Sequence, residues 1–264
     1  MSDHVEDVVL APTPGQRFTN FLSRNDVIIS TLLGIFFTAV FVVLGAVFYP
    51  RWMPTIMSSN MNSIERLIEI FTYISAPVCG VVLGVTAYTL LHRHRGNTPT
   101  IDGPSTRTNT PIVVGWTLVS SILALVAVIY GLTAMNADAT ATAINSAKAM
   151  EVDVVGQQWQ WNFVYPTLGV SSSELNLPIN EPVHFKVISM DVNHSFWPIQ
   201  LGVKVDANRL VYTTADTTPN RLGKFDIRCA ELCGIYHAYM QTTGQVLSQA
   251  DFNSWVIQQG GHTA

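Results

Sequence analysis

Two thiols, an imidazole and a thioether fall within twelve residues of this 264-residue chain, in the segment Cys229-Ala230-Glu231-Leu232-Cys233-Gly234-Ile235-Tyr236-His237-Ala238-Tyr239-Met240. Together they form a soft nitrogen and sulfur donor set, which favours copper over hard cations such as magnesium or calcium. One Cys, one His and one Met would suit a mononuclear blue-copper site. The second Cys changes that expectation, because two thiolates are able to bridge two metal ions. A dinuclear site needs another imidazole, and His194, in Asp191-Val192-Asn193-His194-Ser195-Phe196, is the best upstream candidate. A disulfide is the competing reading of two nearby cysteines outside a membrane. The placement of His237, Met240 and His194 weighs against it. Zinc is a further alternative, but Met is a poor zinc ligand and the set is no plain Cys/His tetrad.

The pattern Cys-x-Glu-x-Cys-x-x-x-His-x-x-Met, preceded by Asp-x-x-His-Ser, resembles the copper-A centre of cytochrome c oxidase subunit II. The resemblance extends through Leu201-Gly202-Val203-Lys204-Val205-Asp206 and Gln158-Trp159-Gln160-Trp161. It implies that Cys229 and Cys233 bridge two coppers, that His194 and His237 each bind one, and that Met240 and the backbone carbonyl of Glu231 make weak axial contacts. It also implies a magnesium ion reached by the Glu231 side chain at the contact with subunit I, and places Lys204 and Asp206 at that boundary. Trp159 matches the position at which the family takes up electrons from its donor. Against these stand ordinary fates: a solvated carboxylate, a surface ion pair, a core tryptophan. Trp159 and Trp161 alternate, so a strand through both would turn them to the same face.

Composition agrees with a membrane setting. The chain is 48% hydrophobic and 12% charged, about half the roughly 25% charged residues of a soluble domain. A net charge of −4 gives no argument for nucleic acid as a partner, and no basic cluster with a stripe of stacking aromatics supports one. Cys79 lies in an apolar run and reads as a packing residue.

Stepping along the chain, residues 1–26 read as a polar tail on the cytoplasmic side. Val27–Tyr49 carries no charge across 23 residues; as a helix it would be about 34 Å long, enough for a hydrocarbon core of roughly 30 Å. A signal peptide, with Arg17 and Arg24 as its basic start, competes, but the apolar stretch is too long and lacks a clear cleavage site. Further uncharged runs span 70–91, with Pro77 inside, and 111–135. Residues 27–135 are thus expected to form a three-helix transmembrane region. His92, Arg93, His94, Arg95 and Arg107 between the second and third runs put 92–110 and the N-terminus in the cytoplasm by the positive-inside rule. Everything after the third helix then lies outside. The family usually has two helices, so the first looks like an addition. Trp116-Thr117 matches the family; a Glu common three residues before that Trp, linked to proton uptake, is Val113 here.

Residues 136–264 are expected to form one external domain, with an Ala- and Thr-rich linker over 134–147. Stretches 151–155, 159–164, 183–188, 210–213, 224–228 and 243–247 alternate or are β-branched, as in an antiparallel sandwich. The resemblance makes this a Greek-key cupredoxin barrel. Ser248-Gln249-Ala250-Asp251 approximates a capping box that opens a short closing helix. His184 reads as a plain strand histidine.

The expectation is therefore a multi-pass protein of a prokaryotic inner membrane: the electron-accepting subunit of a respiratory haem–copper oxidase, partnered by subunit I, other oxidase subunits, membrane lipid and an external cytochrome or small copper protein. Oxygen chemistry would reside in a partner, and proton translocation in the complex. The alternative is a membrane-anchored copper chaperone or sensor. The family's docking face for basic cytochrome c is rich in acids. Here residues 162–169 after the Trp segment hold none, and Met190 stands where a second acid is common beside Asp191.

Overall fold

The computed structural model describes residues 25–91, 110–146 and 149–263. The expected N-terminal tail and the basic loop 92–109 lie outside the described residues, so the charge argument for orientation has no structural counterpart there. The described residues divide into two compact units, one drawn from 1–53 and 67–100, the other from 54–66 and 101–264.

Among the described residues, three helices are long and apolar enough to cross a membrane. Helix α1 spans Asn25–Trp52, α2 Ser59–Leu91 and α3 Thr110–Ser146. Each extends beyond its uncharged run. In α2 the charged residues Glu65, Arg66 and Glu69 belong to the helix rather than to a preceding loop. The stretch expected as a linker after the third run continues α3 as far as Ser146. Alanine, the best helix former, occurs repeatedly there and sustains the helix past the apolar window Thr110–Thr133. Pro77 sits inside α2 without ending it. In the first unit α1 and α2 cross closely: a Cβ on Gly80 would lie 2.1 Å from Thr38 Oγ1. Small residues permit such approach between helices in lipid.

Among its described residues the β domain contains ten strands in two five-stranded sheets. One has the order β3(Val170–Ser172), β2(Gln160–Tyr165), β1(Met150–Gln157), β5(Val183–Ser189), β8(Thr213–Thr217). The other runs β4(Leu175–Pro178), β10(Gln241–Leu247), β9(Gly223–Cys229), β6(His194–Pro198), β7(Val205–Ala207). The chain switches sheets repeatedly, as a Greek-key cupredoxin-like sandwich requires. Expected as antiparallel throughout, the sheets are mixed: β1 pairs parallel with β5, and β4 parallel with β10. Alternation along a strand reports which face is buried but not the direction of its neighbour.

Along β1 and β5 every second residue is buried. Phe196 lies at the centre of the core, 5.2 Å from the Phe185 ring, 5.6 Å from Trp161 and 6.1 Å from Phe163. Between the sheets the Tyr165 hydroxyl donates to Asn176 O and accepts from Asn176 N–H, at 2.8 and 2.9 Å. Helix α4, Gln249–Gln258, closes the domain. Ser248 caps it by accepting from Asp251 N–H, and Phe252 and Val256 are buried.

The segment joining α1 to α2 belongs to this unit as well. Met57 N–H donates to Gln200 O, Asn220 N–H to Met57 O and Ser58 Oγ to Leu201 O. Met57 enters the core itself.

Candidate metal centre

The candidate donors come from three places that the fold draws together. His194 opens β6 and is fully buried. Cys229 ends β9, and the loop that follows carries Glu231 and Cys233. A single turn of 3-10 helix, His237–Tyr239, then leads to Met240 before β10 begins. Cys229 N–H donates to Met240 O and Ala230 N–H to Ser195 O, so backbone bonds shut the loop at its base and tie it to β6. Within it, His237 N–H bonds Gly234 O and Met240 N–H bonds His237 O.

The side chains converge. Cys229 Sγ lies 3.7 Å from Cys233 Sγ, 3.8 Å from His194 Nδ1 and 3.2 Å from Glu231 O. Cys233 Sγ lies 3.5 Å from His237 Nδ1 and 3.7 Å from Met240 Sδ. A disulfide would need about 2.05 Å between sulfurs, and both thiols are free. These separations fit donors that share metal, since metal–sulfur and metal–nitrogen bonds near 2.0–2.3 Å would bridge them. His194, Cys229 and Cys233 alone place three ligand atoms within 4.8 Å of one another, all on buried residues. Burial, with the Cys229 thiol beside it, pushes the Cys233 thiol up to about 12. A metal must therefore displace a proton to bind there.

Neighbours hold the set in place. Nε2 of His194 pairs with Asp191 Oδ1 at 2.8 Å, which leaves Nδ1 to face the thiols. Burial acts to raise the Asp191 carboxyl, but hydrogen bonds from Gln158 N–H, the His194 ring and Val192 N–H outweigh it and hold the group below its usual range. Gln158 Nε2 donates to Cys233 O at 2.9 Å. Gly156 admits two rings, for a Cβ there would meet Trp161 Cζ3 at 2.9 Å and His194 Cδ2 at 3.3 Å.

Trp159 does not share the strand face of Trp161. Trp161 is buried in β2, whereas Trp159 occupies the two-residue turn between Gln157 and Gln160. A tight turn breaks the period of two on which the shared face depended. The indole of Trp159 instead meets the Tyr236 ring edge-on at 4.7 Å and covers Gly234. Glu231 turns its carbonyl inward while its residue is exposed. Lys204 and Asp206 are both exposed, and no ion pair joins them among the described residues; Lys204 Nζ lies 5.6 Å from the centre of the Trp197 ring. His184, expected to be a plain strand residue, bonds Asp216 Oδ1 across β5 and β8 at 2.8 Å.

The roles of Asp191, Gln158 and Tyr236 were not read from the sequence. An Asp three residues before a candidate His was a usable signal for the first. The other two have none, because the contacts that matter, Gln158 with Cys233 and Tyr236 with Trp159, join residues more than 70 positions apart.

Residues 168–246 match the family model described as cytochrome c oxidase subunit II, periplasmic domain. That span contains His194, Cys229, Cys233, His237 and Met240, but not Trp159. The chain is 26% identical to cytochrome c oxidase subunit 2 of a Synechocystis strain, over 87% of this chain and 81% of that one. It is 40% identical to the subunit 2 of Thermostichus vulcanus, over 41% of this chain and 33% of that one. Among solved structures, the periplasmic domain of subunit II of the Bradyrhizobium japonicum cytochrome oxidase matches 42% of this chain and 93% of its own, at 26% identity and a TM-score of 0.41.

Proposed function

Within the cytochrome c oxidase subunit II family, to which this chain belongs, we propose that it is the electron-accepting subunit of a respiratory terminal oxidase. It takes single electrons from an external cytochrome or small copper protein and passes them to the haem–copper subunit, where oxygen is reduced. The observation that carries this reading is the convergence of two imidazoles, a thioether and a carbonyl oxygen on a thiol pair 3.7 Å apart.

A dinuclear copper centre fits this set. Cys229 and Cys233 would hold both coppers, His194 and His237 one each, with Met240 and the Glu231 carbonyl as weaker donors. When bound, such a pair supplies a site that gains and loses one electron. The protein's contribution is rigidity. Strand ends and backbone bonds fix every donor, so a change of charge moves little, and a site on rigid elements keeps its geometry. Trp159, which covers Gly234 of the same loop, is the electron-uptake residue in this reading. The exposed side chain of Glu231 would reach magnesium at the contact with subunit I, and Lys204 and Asp206 would face that subunit.

The membrane arrangement follows the same reading. The segment joining α1 to α2 bonds to the β domain through Met57 and Ser58. These bonds support a reading in which both lie on one side of the membrane, the outer or periplasmic face of a prokaryotic inner membrane. In this reading the N-terminus and residues 92–109 lie in the cytoplasm, which the basic residues of that loop support.

The test is metal analysis with electron paramagnetic resonance on the purified oxidase. Two coppers per chain sharing one unpaired electron are expected. One copper with a mononuclear signal, or zinc in its place, would overturn the assignment.

A further inference from the structure

The surface over the candidate centre has a composition that defines its partner. Three segments meet there. Gln158 N–H donates to Asp191 Oδ2 at 2.7 Å, joining the Gln158-Trp159 turn to residues 190–192. Gln158 Nε2 and the Trp159–Tyr236 ring contact join the same turn to the loop between Cys233 and Met240. Tyr236 continues to Tyr239, ring centres 6.3 Å apart.

The exposed apolar and aromatic side chains of these segments are Met190, Val192, Ile235, Tyr236 and Tyr239, with Trp159 half-buried beside them. Ile235 is 83% exposed, Tyr239 75% and Met190 63%. None carries a charge at neutral pH. Two carboxylates border the patch. Asp191 keeps its negative charge, but its oxygens accept from Gln158 N–H, Val192 N–H and the His194 ring, which orient the carboxylate inward. Glu231 is the single charged side chain between Cys229 and Met240. Exposed apolar groups that adjoin one another mark interaction surfaces, whereas scattered ones do not. Here they gather over the one cluster able to hold a redox metal among the described residues.

We propose that this rim docks a soluble one-electron donor whose own contact face is uncharged and largely apolar, and not a strongly basic cytochrome. The inference rests on the electron-accepting role proposed above. In the encounter one electron leaves the reduced donor and enters the centre; the donor is oxidised by one electron, and no atom or proton is transferred. Steering by charge requires a patch of one sign and weakens with salt. Tyr236 and Tyr239, the former braced by the Trp159 ring, offer rigid aromatic area instead, the kind that dominates binding at interface centres.

The experiment measures binding to the purified oxidase by surface plasmon resonance with two probes. One is a c-type cytochrome of near-zero net charge with an uncharged haem edge, the other a lysine-rich mitochondrial cytochrome c. Between about 20 and 500 mM salt the Kd of the neutral probe should change less than about twofold, because there is little charge to screen. The lysine-rich probe should bind weakly at all but the lowest salt. Ile235→Glu and Met190→Glu should each raise the neutral probe's Kd about tenfold, since each buries a carboxylate against an apolar face.

A steep salt dependence for the neutral probe would overturn the proposal, as would an unchanged Kd in both variants. Loss of the chain from the oxidase in those variants would do so too, assigning the rim to another subunit. A small mediator, tetramethyl-p-phenylenediamine, separates this result from the role it rests on. Failure of the mediator to reduce the copper in intact oxidase defeats the electron-accepting reading, while the binding data judge the rim alone.

Discussion

Asp191 and His194 form a bonded pair in which the carboxylate Oδ1 meets ring Nε2 at 2.8 Å, while Nδ1 of the same ring points at Cys229 Sγ, 3.8 Å away. The carboxylate thereby places the ring proton on the outer nitrogen and keeps the inner lone pair available. Partners of this kind typically contribute ten- to a hundredfold in metal affinity. Asp191→Ala is expected to weaken copper binding by about that factor, read by competition titration against a chelator of known affinity. An unchanged affinity would show that packing alone orients the ring.

The same carboxyl makes a pH prediction for the metal-free protein. Its hydrogen bonds hold it below the ordinary value of 3.8. A depressed carboxyl stabilises the folded state above its unfolded pKa, and that contribution disappears as the pH falls through the folded value. Asp191→Asn should therefore lower the unfolding midpoint at pH 7, and the gap to the parent protein should close below about pH 4. Urea unfolding followed by tryptophan fluorescence measures it; a gap that stays constant with pH would contradict the argument.

The two thiols and the thioether should differ sharply in their tolerance. In the dinuclear copper centre proposed above both cysteines would act as bridging thiolates, and a hydroxyl at neutral pH is no substitute, so Cys229→Ser or Cys233→Ser is expected to abolish the shared-electron spectrum. Met240 is buried, and leucine conserves its volume, so Met240→Leu should cost less than about 1.5 kcal/mol in folding. On the same proposal it should retain copper with a shifted potential, because a thioether in the weak axial role tunes more than it holds. Paramagnetic resonance and redox titration of the three variants distinguish these outcomes.

Gly234 has φ +124°, and a Cβ there would lie 3.1 Å from Gln158 Nε2 and 3.3 Å from Trp159 Nε1. Gly234→Ala combines backbone strain with displacement of both neighbours. A loss of about 1–3 kcal/mol is expected, with Trp159 fluorescence shifted toward that of a solvated indole. Thermal unfolding and the emission spectrum together test it.

Val113 lies half-exposed in the first turn of α3. If another residue or subunit supplies the proton path, Val113→Glu should leave oxygen turnover near the parent rate. A several-fold gain would show that this position limits the native complex.

The spans, the closing helix and the local part of the site could be read from the sequence because their signals are short in range. Runs without charge announce α1, α2 and α3. Ser248 and Asp251, three residues apart, announce the cap of α4. Cys229, Cys233, His237 and Met240 sit close enough along the chain to be seen as one set, and the motif supplied His194. What only the tertiary structure decided depends on which distant backbone lies alongside. The parallel pairings of β1 with β5 and β4 with β10 leave no trace in alternation. Strands β3 and β7, three residues each, are too short to show a period. Trp159 looked like a strand residue because the two-residue turn that holds it has no glycine or proline to mark it. Its contact with Tyr236, the bond from Gln158 to Cys233 and the burial of Met57 among β-domain residues all join partners more than 70 positions apart. Local periodicity and spacing encode which residues are buried or share a loop; the pairings across the fold arise only when the whole core packs and each polar group finds the partner that packing leaves beside it.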